Sequence, residues 1–324
     1  MVKVGILGAG GIGNVHARHL RAIPGVEVLF YEIDSSKADQ FARAHDARRL
    51  NSAKALLAEA DIIDLCLPTD VRSDLALEAV ATGKPVFLEK PVAGTVADGA
   101  KIAEAAAKSG SNVGVGHVVR YFPEYREANR LVKEGKIGKP AAARARRGGG
   151  LPGKMGATWF QDHQRSGGVL VDLGVHEFDF LRWTLGEVSS VFARSVGAAT
   201  MSGPDYALST LKFEGGAVAQ VESTWMDPGG FRTSFEFSGS GGMIEFDSRN
   251  VVTLKTSTAA GSSSEAPLSS GDDPFYLQLS SFVEAVGKGE EPPVGIHDGL
   301  KALAIAEAAL KSAQTGKAIK PSNL

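Results

Sequence analysis

The chain has 324 residues, 43% hydrophobic and 22% charged, with 35 Lys and Arg against 37 Asp and Glu. That length predicts two domains of a soluble globular protein, and a formal net charge of −2 offers no electrostatic case for nucleic acid or an anionic membrane. One cysteine, Cys66 in the apolar run 62–67, excludes an intrachain disulfide and reads as a small buried hydrophobe; with no leader and no apolar stretch of membrane-spanning length, a cytoplasmic setting is expected.

Val2 to Leu7 reads VKVGIL, an apolar run suited to a buried parallel strand. Gly8-Ala9-Gly10-Gly11-Ile12-Gly13 follows at once, and 14–23 reads as a helix closed by Pro24-Gly25. In this G-x-G-x-x-G order the first glycine permits the tight turn and the second lets backbone approach a pyrophosphate. The third lets helix and sheet pack closely. The helix N-terminus then presents free N–H groups and a positive dipole end to the phosphates. The second strand, 26–31, ends at Glu32, with Asp34 two residues on. A carboxylate there suits both ribose hydroxyls of NAD and repels the 2′-phosphate of NADP. The expected cofactor is NAD.

Helix and strand signals keep alternating: helix 35–44, strand 61–67, helix 72–82, strand 85–88, helix 97–109 and strand 113–118. Alternation at this pitch predicts a doubly wound parallel sheet, a Rossmann domain over 1–120. Beyond it, over 121–324, helices at 124–134 and about 173–185 stand among the alternating runs 141–147, 188–196, 206–213, 218–225, 233–237 and 243–246. Glycine pairs at 215–216, 229–230 and 241–242 supply turns. This part reads as an α+β domain with a large open-faced, mostly antiparallel sheet, one face covered. The Thr/Ser/Gly patch at 256–264 is expected to be a loop between edge strands. Helices 275–286 and 298–315 close the chain and are expected to pack back on the Rossmann domain.

Chemistry in a doubly wound fold is expected at the carboxyl ends of the strands. Glu89-Lys90-Pro91 follows strand 85–88, where an ammonium can hold a substrate hydroxyl and stabilise the oxygen that becomes a carbonyl. A Lys-Pro pair also invites a tight turn with a cis bond; the alternative is a surface loop lysine. In Gly167-Gly168-Val169-Leu170-Val171-Asp172-Leu173-Gly174-Val175-His176, Asp172 and His176 lie four apart at a helix start, within hydrogen-bonding reach on one face. A carboxylate beside an imidazole suits a general base near neutral pH. The alternative is Asp172 as a helix cap and His176 as a core histidine.

Together, Gly8-x-Gly10-x-x-Gly13, Glu89-Lys90-Pro91 and Asp172-x-x-x-His176 resemble the glucose–fructose oxidoreductase, inositol dehydrogenase and rhizopine-catabolism (Gfo/Idh/MocA) family, with Gly138-Lys139-Pro140 and Gly167-Gly168 extending the match. The resemblance implies NAD(P)-dependent oxidation of a sugar or cyclitol hydroxyl, with Lys90, Asp172 and His176 catalytic. It also implies that Gly8, Gly10, Gly11, Ile12, Gly13, Glu32, Pro68, Thr69, Glu89 and Lys90 hold NAD, with no metal. The implied partners are a polyhydroxylated small molecule and further copies of the chain, as a homodimer or homotetramer formed through the open sheet.

The chain departs from the family at Arg72, where a histidine is frequent, and no role transfers to it. His117 and Arg120 are candidate substrate contacts, and 151–165, with Trp159, Phe160, Gln161, Asp162 and His163, is the expected specificity loop. Arg144, Arg146 and Arg147 suit a phosphorylated or nucleotide-linked sugar, but a solvated strand face explains them as well and is favoured. The expected activity is NAD-dependent oxidation of a secondary hydroxyl with His176 as base. Alternatives are a keto-sugar or dihydrodiol reductase, a nucleotide-sugar oxidoreductase, and a non-catalytic NAD-binding sensor, against which the presence of Lys90, Asp172 and His176 together argues.

Overall fold

The structure, a computed structural model, describes residues 1–150, 158–197, 205–250, 254–258, 261–265 and 273–323. The chain forms two compact units, one of Met1–Tyr121 with Gly271–Leu300, the other of Phe122–Ser270 with Lys301–Leu324. No helix among the described residues is long and apolar enough to cross a membrane.

The first unit is built on β1 (Val2–Leu7), β2 (Val26–Tyr31), β3 (Arg48–Arg49), β4 (Ile62–Leu65), β5 (Val86–Leu88) and β6 (Val113–Val115), ordered β3-β2-β1-β4-β5-β6. Every pair is parallel. The links are helices α1 (Gly11–Ala22), α2 (Ser35–His45), α3 (Ala53–Glu59), α4 (Thr69–Ala81) and α5 (Val96–Ser109). Their starts follow local chemistry. Asp34 caps α2 by accepting from Ser36 N and Lys37 N, Ser52 caps α3 through Ala55 N, and Thr95 caps α5 through Asp98 N, each satisfying orphan first-turn donors. Phe30 and Phe41 meet at 4.6 Å between ring centres in the core beneath α2. The helix Pro274–Gly287 belongs to this unit, its Phe282 ring 5.1 Å from that of Phe87. Sequence reading missed β3, which has no apolar run, and α3. It also carried the last strand to 118, whereas β6 stops at Val115 and 118–121 coil into a 3-10 turn.

The second unit contains α6 (Pro123–Lys133), β7 (Pro140–Gly148), α7 (His163–Ser166), α8 (Gly168–Asp172) and α9 (Gly174–Leu185). Strands β8 (Val188–Ser195), β9 (Tyr206–Phe213), β10 (Val218–Thr224), β11 (Arg232–Gly239), β12 (Gly242–Asp247), β13 (Leu254–Thr258) and β14 (Gly261–Glu265) follow. The sheet order is β14-β13-β12-β11-β7-β10-β9-β8. It is mostly antiparallel, with β7 and β10 parallel. Burial alternates along β9, with Ala207, Ser209, Leu211 and Phe213 inside, the period of a sheet with one covered face. Under that face Tyr125, Phe180, Phe235 and Phe246 form one aromatic cluster, with ring centres 4.6–5.7 Å apart.

Two expectations need correction here. The patch 256–264 is not simply a loop, because its described residues, 256–258 and 261–264, lie in β13 and β14, which pair antiparallel. Arg147 is not solvated: it has the same parity as the inward Ala143 and Ala145 and is 7% exposed. Arg144 stays exposed and Arg146 half-buried.

The uncovered face carries ion pairs beside the exposed apolar side chains Phe192, Leu208 and Val218. Arg146 pairs with Glu222 at 3.1 Å and Asp227 at 2.7 Å, and Arg232 with Asp247. A hollow of about 1040 Å³ lies over it, lined by such residues as Arg144, Gln220, Glu236 and Lys255.

Candidate active site

The carboxyl ends of β1, β2, β4 and β5 collect the residues assigned to the cofactor. Gly8 has φ +101°, and a Cβ there would meet the Cys66 carbonyl oxygen at 2.7 Å; a Cβ on Gly13 would collide with Gly8 O. Both positions therefore need glycine. Gly10 differs: a Cβ would meet nothing within 4 Å. That open, exposed backbone at the start of α1, next to Gly11 and Ile12, leaves room for a phosphate to approach the helix N-terminus. Glu32 lies half-buried beside it, one carboxylate oxygen accepting from Ala9 N at 2.8 Å and the other from Asp34 N at 2.9 Å. Each oxygen keeps lone-pair capacity for a ribose hydroxyl. These residues fit a bound NAD. Pro68 caps α4 and Thr69 opens it, beside the end of β4.

Lys90 is half-buried on the turn after β5 and joined to Pro91 by a cis bond. Behind it lies a buried polar cluster that sequence reading missed. His16, on α1, is fully buried; its Nδ1 lies 2.8 Å from Asp64 and 3.2 Å from Cys66 Sγ, and its Nε2 3.2 Å from Glu89. Burial pulls the imidazole pKa down, but Asp64 and Cys66 outweigh it and hold the value well above the ordinary one. Burial opposes the charged form of Glu89 too, yet bonding to His16 and the charges of His16, Lys90 and Arg72 bring its pKa below the usual carboxylate value. Both shifts favour the charged forms of His16 and Glu89, with Asp64 on the other side of the ring. Burial, aided by Asp64, pushes the Cys66 thiol up to about 12, so Cys66 is an inert thiol, as its burial suggested. Asp64, an acid inside an apolar strand, was the available signal, because a buried carboxylate requires a partner.

Of the proposed substrate contacts, His117 is buried between β6 and the 3-10 turn, with its N–H donated to Val115 O at 2.8 Å. Arg120, on the turn, pairs with Asp298 at 3.2 Å.

In the second unit Asp172 and His176 stand at a break and not on one continuous helix. Asp172 is the last residue of α8, His176 lies in the first turn of α9, and Leu173 (φ −102°, ψ −49°) joins the two. Asp172 is therefore not the cap of α9; Leu173 holds that position. Gly167 ends α7 with φ +76°, and a Cβ there would strike the Val171 side chain. Asp205 anchors the start of α8: Oδ2 accepts from Val169 N at 3.0 Å, while Oδ1 accepts from Ser195 Oγ at 2.7 Å and Gly197 N at 3.0 Å. Glu177, next to His176, is fully buried and held by Arg147 at 2.6 Å. Burial raises its pKa despite Arg147. Asp172 is buried and His176 half-buried. Trp159 is half-buried on the 3-10 turn Thr158–Gln161. Residues 151–157 of the expected specificity loop lie outside the described residues, and 163–166 are helix.

A parallel doubly wound sheet with this glycine turn and carboxylate defines an NAD-binding oxidoreductase. Residues 2–117 match the model described as "Oxidoreductase family, NAD-binding Rossmann fold" and 125–263 match the GFO/IDH/MocA C-terminal domain; the chain belongs to the Gfo/Idh/MocA family. It is 30% identical over 330 residues to an uncharacterized oxidoreductase, YrbE, of Bacillus subtilis, covering 97% of this chain and 95% of that one. It is 27% identical over 340 residues to the myo-inositol 2-dehydrogenase of Thermotoga maritima, covering 98% of each. The solved structure of a probable dehydrogenase from Thermotoga maritima, 25% identical, superposes with a TM-score of 0.85 over 99% of both chains.

Proposed function

We propose that the protein is an NAD-dependent dehydrogenase that oxidises a secondary hydroxyl of a sugar, sugar derivative or cyclitol. The observation that carries this reading is the half-buried Lys90 on a turn of the same sheet as the glycine turn. Bound NAD supplies the hydride acceptor. Lys90 Nζ donates to the reacting oxygen and stabilises the charge it gains as its proton leaves. His176 accepts that proton, and Asp172 favours the imidazolium that forms. Trp159 offers an indole face to a polyhydroxylated ring, and His117 is a further candidate contact for its hydroxyls. Arg120, engaged by Asp298, fixes the turn that carries it. The likeness to a myo-inositol 2-dehydrogenase supports the substrate class.

The test is a thermal-shift screen of polyols, aldoses and nucleotide-sugars with NAD present. A ligand that binds only the folded protein raises Tm by mass action. NAD is expected to raise Tm more than NADP at equal concentration, and a cyclitol or aldose to add a further rise. A further rise from nucleotide-sugars alone would replace the substrate class, and none from any polyhydroxylated ligand would favour the sensor.

A further inference from the structure

Arg72 stands where the family frequently carries histidine, and its side chain is only 3% exposed. It leaves the first turn of α4 and points its guanidinium at a set of main-chain carbonyls. Nε and Nη2 donate to Leu67 O at 3.1 and 2.7 Å, and Nη1 donates to Glu89 O and Pro91 O. Leu67 lies just past β4, before Pro68 and Thr69. Glu89 and Pro91 flank Lys90 on the turn after β5.

We propose that Arg72 is a positioning residue that sets the direction of Lys90 by fixing the peptide entering it and the peptide after Pro91, and by tying that turn to the loop after β4. This rests on the reading that Lys90 holds the reacting oxygen. The Glu89 carbonyl belongs to the peptide entering Lys90, and the Pro91 carbonyl to the peptide after the proline. With both held by one Nη1, the Lys90 Cα has little room to turn. From the other side, the Lys90 N–H donates to Glu89 Oε2 at 3.1 Å, and Glu89 is itself held by His16. Buried carbonyls need donors, and here three converge on one point. A guanidinium fits because its donors are spread over a rigid planar fork. An ammonium is a compact point charge, and an imidazole has two donors on opposite sides of the ring.

Turnover on a screened polyol is measured for the unaltered enzyme, Arg72→Lys, Arg72→Ala, Lys90→Met and Arg72→Ala with Lys90→Met, with Tm and NAD affinity recorded for each. Arg72→Lys keeps the charge and most of the buried stem, so it carries the test if Arg72→Ala does not fold. A misplacement of about 1 Å can cost 10²-fold, so Arg72→Lys is expected to lower kcat about 10–100-fold while NAD affinity changes much less. Adding Arg72→Ala to Lys90→Met should change kcat less than about 2-fold, because groups acting through one another are not additive. An Arg72→Lys kcat equal to the unaltered enzyme's, or an Arg72→Ala loss of the same size in both backgrounds, would overturn the proposal. A fully active Lys90→Met would instead overturn the role of Lys90.

Discussion

The turn after β5 and the uncovered face of the second sheet both set basic side chains against carboxylates, His16 with Asp64 and Glu89 in one and arginines with Asp and Glu in the other, in opposite surroundings. Behind the turn, His16, Asp64, Arg72 and Glu89 are at most 6% exposed. On the sheet face, the Arg232 and Asp247 side chains are 30% and 22% exposed, and Lys255 and Glu245 53% and 41%. Removing charges from water costs several kcal/mol per ion, and only close pairing offsets it. A buried set of this kind is therefore tied to one geometry, and here it lies behind the turn that carries Lys90. On the sheet face water does much of the solvating, so the same pairs are weak and the surface is free to meet other charges.

The contrast predicts unequal costs. His16→Ala leaves Asp64 and Glu89 without their shared partner, and breaking a buried pair in this way costs about 3–5 kcal/mol. Urea unfolding should show that loss; a change below about 1 kcal/mol would put His16 in the same class as the surface pairs.

The pH dependence sharpens the point. The folded pKa of His16 is raised above the ordinary 6.5, so its stabilising contribution is fully present below the unfolded value and is lost as pH rises through the folded one. Melting of the unaltered protein and of His16→Gln should therefore differ most in mild acid and converge toward alkaline pH. A gap that widens with rising pH would mean that His16 is buried neutral.

Arg232→Ala should cost at most about 1 kcal/mol in the same unfolding assay, and a larger loss would erase the distinction between the regions. We also propose that the sheet face joins copies of the chain. That face offers charged side chains, Arg144, Arg146, Glu222 and Glu236, together with the exposed apolar Phe192, Leu208 and Val218. Light scattering should report a dimer or tetramer at micromolar concentration, and a monomer alone would contradict it.

Much of the first unit was legible because its signals are contiguous. Strand, glycine turn and helix run within residues 2–22, Glu32 ends the next strand, and Lys90 follows β5 directly. The His16 cluster was hidden because His16 lies 48 residues along the chain from Asp64, 50 from Cys66 and further still from Glu89. Periodicity reports which face is buried and not what meets there. Sequence reading began the helix at about 173 and set Asp172 and His176 on it; α8 went unread within an apolar run, although Gly167-Gly168 and Gly174 marked its ends. Arg147 was readable from strand parity, but its charge argued for the outside; Glu177, thirty residues on, is what holds it inside.

The most direct test of the proposed chemistry is kcat of His176→Ala on the polyol that the screen selects, with NAD saturating. General acid–base groups contribute about 10²–10⁴-fold. A loss in that range with NAD affinity nearly unchanged is the predicted result, whereas a His176→Ala enzyme that turns over like the unaltered one would contradict His176 as the base.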